Sequence, residues 1–469
     1  MKLNRIMIAA PGSGSGKTMI TCALLKALKN RGEQVVSYKC GPDYIDPMFH
    51  EKVIGVPSKN LDTFFTGEDM TRELFLKNRT EKDFAVIEGV MGLFDGLGGV
   101  REEGSSYHLA KVTETPIVLV IDAKGMGRSV IPMIAGFLSY DKEHLIQGVI
   151  LNKMSKSYYE IIKPLIEGEL KVTVLGYFPD QKDIHIESRH LGLVMPNELV
   201  DLQKQLQAVS EELEKTVNVE EIKHIGVLAK ELQVTHTKGS RTLFRDDKGH
   251  GGPVITVAKD EAFCFYYDDN LLMLQENGAK ITYFSPLHDT KLPDHCDALL
   301  IGGGYPELYA DKLSRNITMR NAMKQAIDTG MPIVAECGGF MYLHEAIIDQ
   351  NGVSHAMVGA IPATCSYKGK LVRFGYVEIR EKQSCFLPEG ELIKGHEFHY
   401  FDSTDNGEGC IATKPTTGRV YPCVIEGENY WMGFPHLYYP SNPLFVESFV
   451  KKAEKYKNER RTNRKCVNN

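Results

Sequence analysis

Ile6-Met-Ile-Ala-Ala-Pro-Gly-Ser-Gly-Ser-Gly-Lys-Thr18 runs from an apolar stretch into glycines, then Lys17 and Thr18, then a helix-like Met19 to Leu28. A strand that empties into glycines at the mouth of a helix reads as a phosphate cradle. Gly12, Gly14 and Gly16, with Ser13 and Ser15 between them, let successive backbone N–H groups turn inward around an anion. The helix N-terminus adds its dipole, Lys17 supplies a point charge, and the Thr18 hydroxyl suits Mg²⁺. The spacing departs from the usual G-x-x-x-x-G-K-T: Pro11 stands where the first glycine belongs, and Gly12 follows one position late. A flexible Gly/Ser turn would explain the glycines but not Lys-Thr at a helix mouth.

Outward from this loop, apolar β-rich runs recur at Ile6–Ala10, Val35–Tyr38, Phe84–Glu88, Ile117–Ile121, Gly148–Leu151 and Val174–Phe178, separated by lengths that suit helices. That pattern predicts a parallel, doubly wound α/β domain, in which ligands sit outside the carboxyl ends of the strands. After the second run comes Lys39-Cys-Gly-Pro-Asp-Tyr-Ile-Asp-Pro-Met-Phe-His50, and after the third Glu88-Gly-Val-Met-Gly-Leu-Phe-Asp-Gly96. Asp43, Asp46, Glu88 and Asp95 can therefore face a γ-phosphate. The metal set expected is Thr18, Asp43 and Glu88 on Mg²⁺. Asp43 and Asp46 also read as turn residues beside Pro42 and Pro47, and Asp95-Gly96 as another turn. Asn152, after the fifth run, reads either as an adenine contact or as a polar residue capping a strand.

From Glu198 to Ile222, Leu199, Leu202, Leu206, Val209 and Leu213 recur amid charges, which predicts an amphipathic helix. Thr235 to Pro253 is poor in apolar residues and reads as a linker or surface loop. A second α/β pattern begins at Val254–Val257 and continues through Lys280–Phe284, Ala298–Ile301 and Ile333–Ala335. The expected division is 1–197, 198–252 as helix and linker, 253–450, and a basic tail 451–469 read as solvated.

Two stretches in the second pattern carry chemistry. In Ile301-Gly-Gly-Gly-Tyr-Pro-Glu307, glycines after a strand can aim the N–H groups of Gly303 and Gly304 at an oxyanion. In Pro332-Ile-Val-Ala-Glu-Cys-Gly-Gly-Phe340, a strand breaks at Cys337 into small residues and then a helix pattern, as at a nucleophile elbow, with the helix dipole favouring a thiolate. An inert buried thiol is the ordinary fate of a lone cysteine, and the neighbouring glycines argue against it here. A cysteine nucleophile needs a base. His436 in Gly433-Phe-Pro-His-Leu-Tyr-Tyr-Pro440 leads, with His396 and His399 in Gly395-His-Glu-Phe-His-Tyr400 as competitors.

The chain has 469 residues, 42% hydrophobic and 25% charged, with a net charge of −6. That length predicts two or three domains, and that charge makes nucleic acid an unlikely partner. No apolar run reaches the ~18 residues that span a bilayer, and the start resembles a strand rather than an export signal, so the expected address is cytoplasmic, away from membranes. Ten cysteines without a C-x-x-C pair argue against a zinc site and a disulfide framework.

A P-loop half followed by a cysteine glutaminase half resembles the cobyrinic acid a,c-diamide synthase family. Gly41-Pro-Asp-Tyr-Ile-Asp-Pro47, Glu88-Gly-Val-Met-Gly92, Ser188-Arg-His-Leu-Gly192, Gly302-Gly-Gly-Tyr-Pro-Glu307 and Gly395-His-Glu-Phe-His399 look like its signatures. The resemblance implies a dethiobiotin synthetase-like P-loop domain and a class I glutaminase-like domain. It further implies ATP, Mg²⁺, glutamine and a corrinoid polycarboxylate whose a and c acetates become amides. Hydrogenobyrinic acid and nickel-sirohydrochlorin are alternative rings for the same residues, and a homodimer is compatible with the layout. Tyr44, Asp46, Leu93 and Asp95 are placed on the substrate side only because they lie on family-like loops near the expected γ-phosphate.

Class I glutaminases complete a triad with a glutamate two residues after the histidine. Tyr438 stands there, so the resemblance implies a Cys–His dyad, with Glu397 as a third group that spacing does not decide. A partition-type ATPase switch with a docking domain is the reading from another class. Such switches carry a lysine where this chain has Gly12.

Overall fold

In the computed structural model, which describes residues 2–181, 196–233 and 251–467, the six apolar runs of the first half are strands. The elements are β1 (Asn4–Ala9), α1 (Lys17–Asn30), β2 (Gln34–Cys40), α2 (Ile45–Phe49), β3 (Ser58–Leu61), α3 (Thr63–Leu76), β4 (Asp83–Glu88), α4 (Ser106–Val112), β5 (Ile117–Asp122), α5 (Val130–Tyr140), β6 (Ile146–Asn152), α6 (Lys156–Leu170), β7 (Thr173–Phe178), α7 (Pro196–Thr216) and α8 (Val219–Val227). The sheet has seven strands in the order β3-β2-β4-β1-β5-β6-β7, all parallel. Near-continuous burial along β1, β4 and β5 follows from helices covering both faces. β3 is the strand that periodicity missed. Ser58-Lys-Asn-Leu61 is short, polar and at the edge.

β1 lies between β4 and β5, so the strand order reverses there and the crevice at its carboxyl end is where a doubly wound sheet takes ligands. The glycine loop leaves β1 at that crevice. At the amino end, Arg5 is wholly buried and donates to the carbonyls of Leu3 (2.7 Å), Thr113 (2.9 Å), Glu114 (3.2 Å) and Lys230 (2.7 Å). A guanidinium can be buried because its donors are taken by carbonyls.

The amphipathic helix expected near 198–222 does not stand apart with the linker. Leu206, Val209 and Leu213 of α7 and Ile222 and Ile225 of α8 share one core with Ile20, Leu24 and Leu28 of α1. The chain divides into Met1–His236 and Thr237–Asn469. Ser188–Gly192 and residues 234–250 of the linker reading lie outside the described residues.

The second unit contains β8 (Val254–Ala258), β9 (Phe263–Phe265), α9 (Asp268–Glu276), β10 (Lys280–Phe284), β11 (Ala298–Ile301), β12 (Gly303–Gly304), α10 (Ala310–Arg315), α11 (Ile317–Asp328), β13 (Ile333–Glu336) and α12 (Gly338–Leu343). Then follow β14 (His344–Ile348), β15 (Ser354–Ala356), β16 (Ile361–Tyr367), β17 (Arg373–Glu381), β18 (Ile393–His399), β19 (Phe401–Ser403), β20 (Cys410–Thr413), β21 (Val420–Cys423), β22 (Ile425–Gly427), β23 (Tyr430–Gly433), β24 (His436–Leu437) and α13 (Pro443–Val467). The main sheet, β10-β8-β11-β13-β23-β22, is parallel apart from its β22 edge. Further sheets run β12-β9, β15-β14-β16-β19 and β21-β20-β17-β18-β24.

The tail expected to be solvated from residue 451 is instead the continuation of α13. Phe445, Phe449 and Ala453 are wholly buried, and Arg460 pairs with Asp297 at 3.0 Å. An apolar first half anchors this helix, and its basic second half still finds partners.

If α7 is part of the first core, Leu206→Ala should cost about 3 kcal/mol, the scale of a buried leucine truncation. Hydrogen exchange should show α1 amides losing protection together with those of α7. Unchanged α1 protection would mean that α7 is an appendage.

Candidate functional site

At the first crevice, Gly16 caps α1 with φ +92°, a left-handed conformation that glycine adopts cheaply. A Cβ there would also collide with the side-chain amide of Asn152. Asn152 Nδ2 donates to the Ser15 carbonyl at 2.9 Å, and its Oδ1 accepts from the Lys153 N–H at 3.0 Å. Each end of the amide thus makes one bond to the chain, and Asn152 braces the phosphate loop with a second N–H and a second lone pair left over. Ser15 Oγ donates to the Gly12 carbonyl at 2.9 Å, while Ser13 and Gly14 are exposed. Lys17 Nζ donates to the carbonyls of Gly12 (3.2 Å) and Met91 (2.6 Å), so it lies folded along the loop. Burial, and then the neighbouring Lys39 charge, lower its pKa, and a phosphate in the cradle would be a stronger partner than those carbonyls.

Glu88 ends β4 with no exposed surface. Its Oε1 accepts from Thr18 Oγ1 at 2.6 Å and from Lys39 Nζ at 2.9 Å, and Lys39 also meets Asp46 Oδ2 at 2.6 Å. His50 Nε2 is 3.3 Å from Glu88 Oε2, while its Nδ1 is 2.8 Å from Ser37 Oγ. Burial alone would raise the Glu88 pKa, but Lys39, His50 and Thr18 together hold it well below the usual carboxylate range. Asp46 goes the other way: burial and the Glu88 charge push it up to about 8. Lys39 and His50 are the residues that sequence reasoning passed over. The available signal was a lysine at the inner end of an otherwise apolar strand.

The other residues picked from sequence fall differently. Asp43 Oδ1 accepts from the Ile45 N–H at 2.8 Å, closing the turn after β2, so of the expected metal set only Thr18 and Glu88 are in contact. Asp95 Oδ2 likewise caps the Gly92 N–H at 2.9 Å. Tyr44 is buried, and Leu93 is 1% exposed with its N–H on the Ala10 carbonyl at 2.8 Å, so Leu93 packs the loop rather than offering a side chain to a ligand. A cavity of about 500 Å³ lined by Lys111, Glu114, His144, Gln147 and Lys230 opens beside Pro116 and Leu145, which precede β5 and β6. It is at the opposite end of the sheet from the cradle.

In the second unit, Cys337 joins β13 to α12 with φ +46° and ψ −101°, the strained turn of a nucleophile elbow. Its N–H is held by the Gly433 carbonyl at 2.8 Å. Gly338, which follows it, lies so near the other glycine segment that a Cβ would stand 3.2 Å from the Gly304 nitrogen. A Cβ on Gly303 would strike His436 Cε1. Gly303 and Gly304 thus have the elbow on one hand and the His436 ring on the other, and only glycines fit. The Gly338 N–H bonds toward the Cys337 sulfur, a donor that the sequence reading did not include.

Electrostatics here oppose the expected thiolate. Burial and the charges of Glu307 and Glu336 push the Cys337 thiol up, more than the Gly338 N–H lowers it. Burial pulls His436 well below its ordinary value, and His396 and His399 would add to this only if they were charged. Both shifts favour the neutral thiol and the neutral imidazole over the ion pair. A six-residue helix has too little dipole to reverse this. Glu397 is not the third group: its carboxylate is taken by Arg373 (3.4 Å), Lys414 (3.0 Å) and the Tyr421 hydroxyl. The Tyr438 hydroxyl, at the triad-glutamate position, goes to Asp269 at 3.1 Å.

Among the described residues, no group of three or more His, Cys, Asp or Glu forms a metal cage and no helix is long and apolar enough to cross a membrane. Residues 6–194 match the CobQ/CobB/MinD/ParA nucleotide binding domain, and residues 254–429 match the CobB/CobQ-like glutamine amidotransferase domain. A cobyrinate a,c-diamide synthase of Caldanaerobacter subterraneus subsp. tengcongensis is 39% identical over 92% of this chain and 94% of its own length. Its counterpart in Priestia megaterium is 35% identical over 98% of this chain and 99% of its own, and that of Clostridium acetobutylicum 40% over 96% and 100%. A nucleotide cradle followed by a glutaminase elbow, matched over nearly the full length of these relatives, makes the chain a member of the cobyrinate a,c-diamide synthase family.

Proposed function

We propose that this enzyme converts the a and c acetate carboxylates of cobyrinic acid into amides, with ATP activating each carboxylate and glutamine supplying the nitrogen. The observation that carries this is the pairing, in one chain, of a lysine-bearing phosphate cradle with a strained cysteine elbow, in a chain whose relatives are cobyrinate a,c-diamide synthases.

A carboxylate with a reference pKa near ~4 is ionised at neutral pH and needs no base to attack a phosphate. It needs cations. Lys17 moves from its carbonyl partners onto the β- and γ-phosphates, and the backbone N–H groups of Gly12 to Thr18 cradle them. The donor set fits Mg²⁺ in its usual manner, one hydroxyl and one carboxylate with water completing the shell: Thr18 Oγ1 and Glu88 would hold it. Bound there, it neutralises charge on the phosphates. Lys39 stays beside Glu88 and Asp46 and keeps that corner from accumulating two uncompensated carboxylates. Transfer of the γ-phosphoryl group gives ADP and an acyl phosphate.

In the other unit, Cys337 attacks the side-chain amide of glutamine, His436 takes the thiol proton and returns it to the leaving nitrogen, and the N–H groups of Gly303, Gly304 and Gly338 receive the oxyanion. Ammonia leaves and water resolves the thioester to glutamate. With both groups neutral at rest, the proton moves only as the amide is attacked, which keeps idle glutamine hydrolysis slow.

Three measurements test this. Incubation with Mg-ATP, glutamine and, separately, cobyrinic acid, hydrogenobyrinic acid and nickel-sirohydrochlorin should give, by mass spectrometry, a two-step exchange of OH for NH₂ on cobyrinic acid. A shift on another ring alone reassigns the substrate, and ATP hydrolysis without any shift favours a nucleotide switch. Cys337→Ala should abolish glutamine-driven amidation yet retain amidation with ammonium salt, and loss of both would refute the division of labour. Iodoacetamide labelling of Cys337, read by peptide mass spectrometry, should keep accelerating from pH 7 to beyond pH 9. A plateau near neutrality would instead indicate a preformed thiolate.

A further inference from the structure

The base of the glutaminase site has a neighbour that no triad supplies. β18 and β24 pair antiparallel with His396 opposite His436, so both side chains leave the sheet on one face. Their rings stack, centroids 5.0 Å apart and planes 18° from parallel. The Tyr267 hydroxyl lies 3.2 Å from His396 Nδ1, and the Tyr267 ring meets that of Tyr438 edge-on at 5.1 Å. The His436 ring is thus bounded by the backbone at Gly303 and by the flat face of His396. Glu397, the next residue on β18, sends its carboxylate to Arg373, Lys414 and Tyr421.

We propose that His396 is a positioning residue for His436: a neutral imidazole whose face fixes the plane of the base and stabilises the imidazolium formed when Cys337 gives up its proton. This rests on the glutaminase reading given above. In the step concerned, the Sγ–H bond of Cys337 breaks, its proton goes to a ring nitrogen of His436, Sγ bonds to the amide carbon, and the carbonyl electron pair moves onto the oxygen. His436 is cationic until it returns the proton to the departing nitrogen. An aromatic face beside a cation in a dry site does part of what a carboxylate does in a triad.

His396 can serve only while uncharged, since a second imidazolium would repel the first. Burial, reinforced by Lys414, lowers its pKa to about 3. The titratable groups bearing on the two rings are His399 of β18, Lys414 after β20 and Tyr267 before α9. His399, stacked on Phe434 with centroids at 3.9 Å, is also lowered by burial.

The test is glutamate release by the full chain in the presence of Mg-ATP and cobyrinic acid. His396→Ala should lower kcat about thirtyfold, the scale of a desolvated cation–π contact, with KM for glutamine within about twofold of wild type. His396→Phe keeps an aromatic face and should recover most of the loss, whereas His396→Gln, which can still meet Tyr267, should not. Without the face the imidazolium is less stable, so the acid limb of kcat/KM should move to lower pH in His396→Gln. An unchanged kcat, a loss confined to KM, or equal defects in the Phe and Gln variants would overturn the proposal. His396→Gln nearly conserves volume and His396→Phe enlarges the ring, so melting curves matched to wild type keep the comparison valid if the Ala variant fails to fold. No release from the wild-type protein itself would sink the glutaminase reading, a result distinct from release that His396 does not affect.

Discussion

A carboxylate with no exposed surface has to be neutralised where it stands, and Glu88 at the end of β4 is such a group. Desolvation of a lone carboxylate costs a large share of a domain's net stability, so the residues around it are dictated by its charge. Lys39 arrives from the adjacent parallel strand, directly in register with Glu88, and Thr18 from the first turn of α1. His50 and Asp46 come from the short helical segment after β2. The crevice beside β1 therefore carries its charge network before any nucleotide arrives. The remaining cation of the crevice, Lys17, hydrogen-bonds only neutral carbonyls among the described residues.

In the second unit the governing constraint is close approach of backbone to backbone. Gly303 and Gly304 lie against the elbow at Cys337 and Gly338 and against the His436 ring, and Gly395 lies against the His436 carbonyl. Each contact excludes a Cβ, so four separated segments of chain converge in close packing. Burial there shifts the proton affinities. The thiol is raised and the imidazoles are lowered, and the acidic side chains nearest Cys337 follow the same rule: Glu307 is pushed up to about 7 and Glu336 to about 8 by burial.

Much of this was legible in the chain, because the signals are local. Apolar runs at even spacing identify the strands of a parallel sheet, and glycine before Lys17-Thr18 or after Cys337 marks a turn that only small residues make. Where the signal is weak, the reading stopped short. β3 is four residues long and polar, the antiparallel strands after α12 are short, and α13 begins with an apolar turn that its basic second half conceals. Asn152 illustrates the limit for a single side chain. Its place after a strand is compatible with a ligand contact, and only the fold shows that its amide also braces Ser15.

The sequence by itself determined the two α/β halves, the cradle and the elbow, since each is written in residues close together along the chain. Tertiary structure alone decided that Lys39, Asp46, Thr18 and Glu88 form one charge network, that Asp43 and Asp95 each cap a turn N–H, and that His436 stacks on His396 while Glu397 is bound elsewhere. Strand register and burial bring these groups together across tens of residues, and charge and proton affinity follow from what surrounds a group in space rather than from its neighbours in sequence.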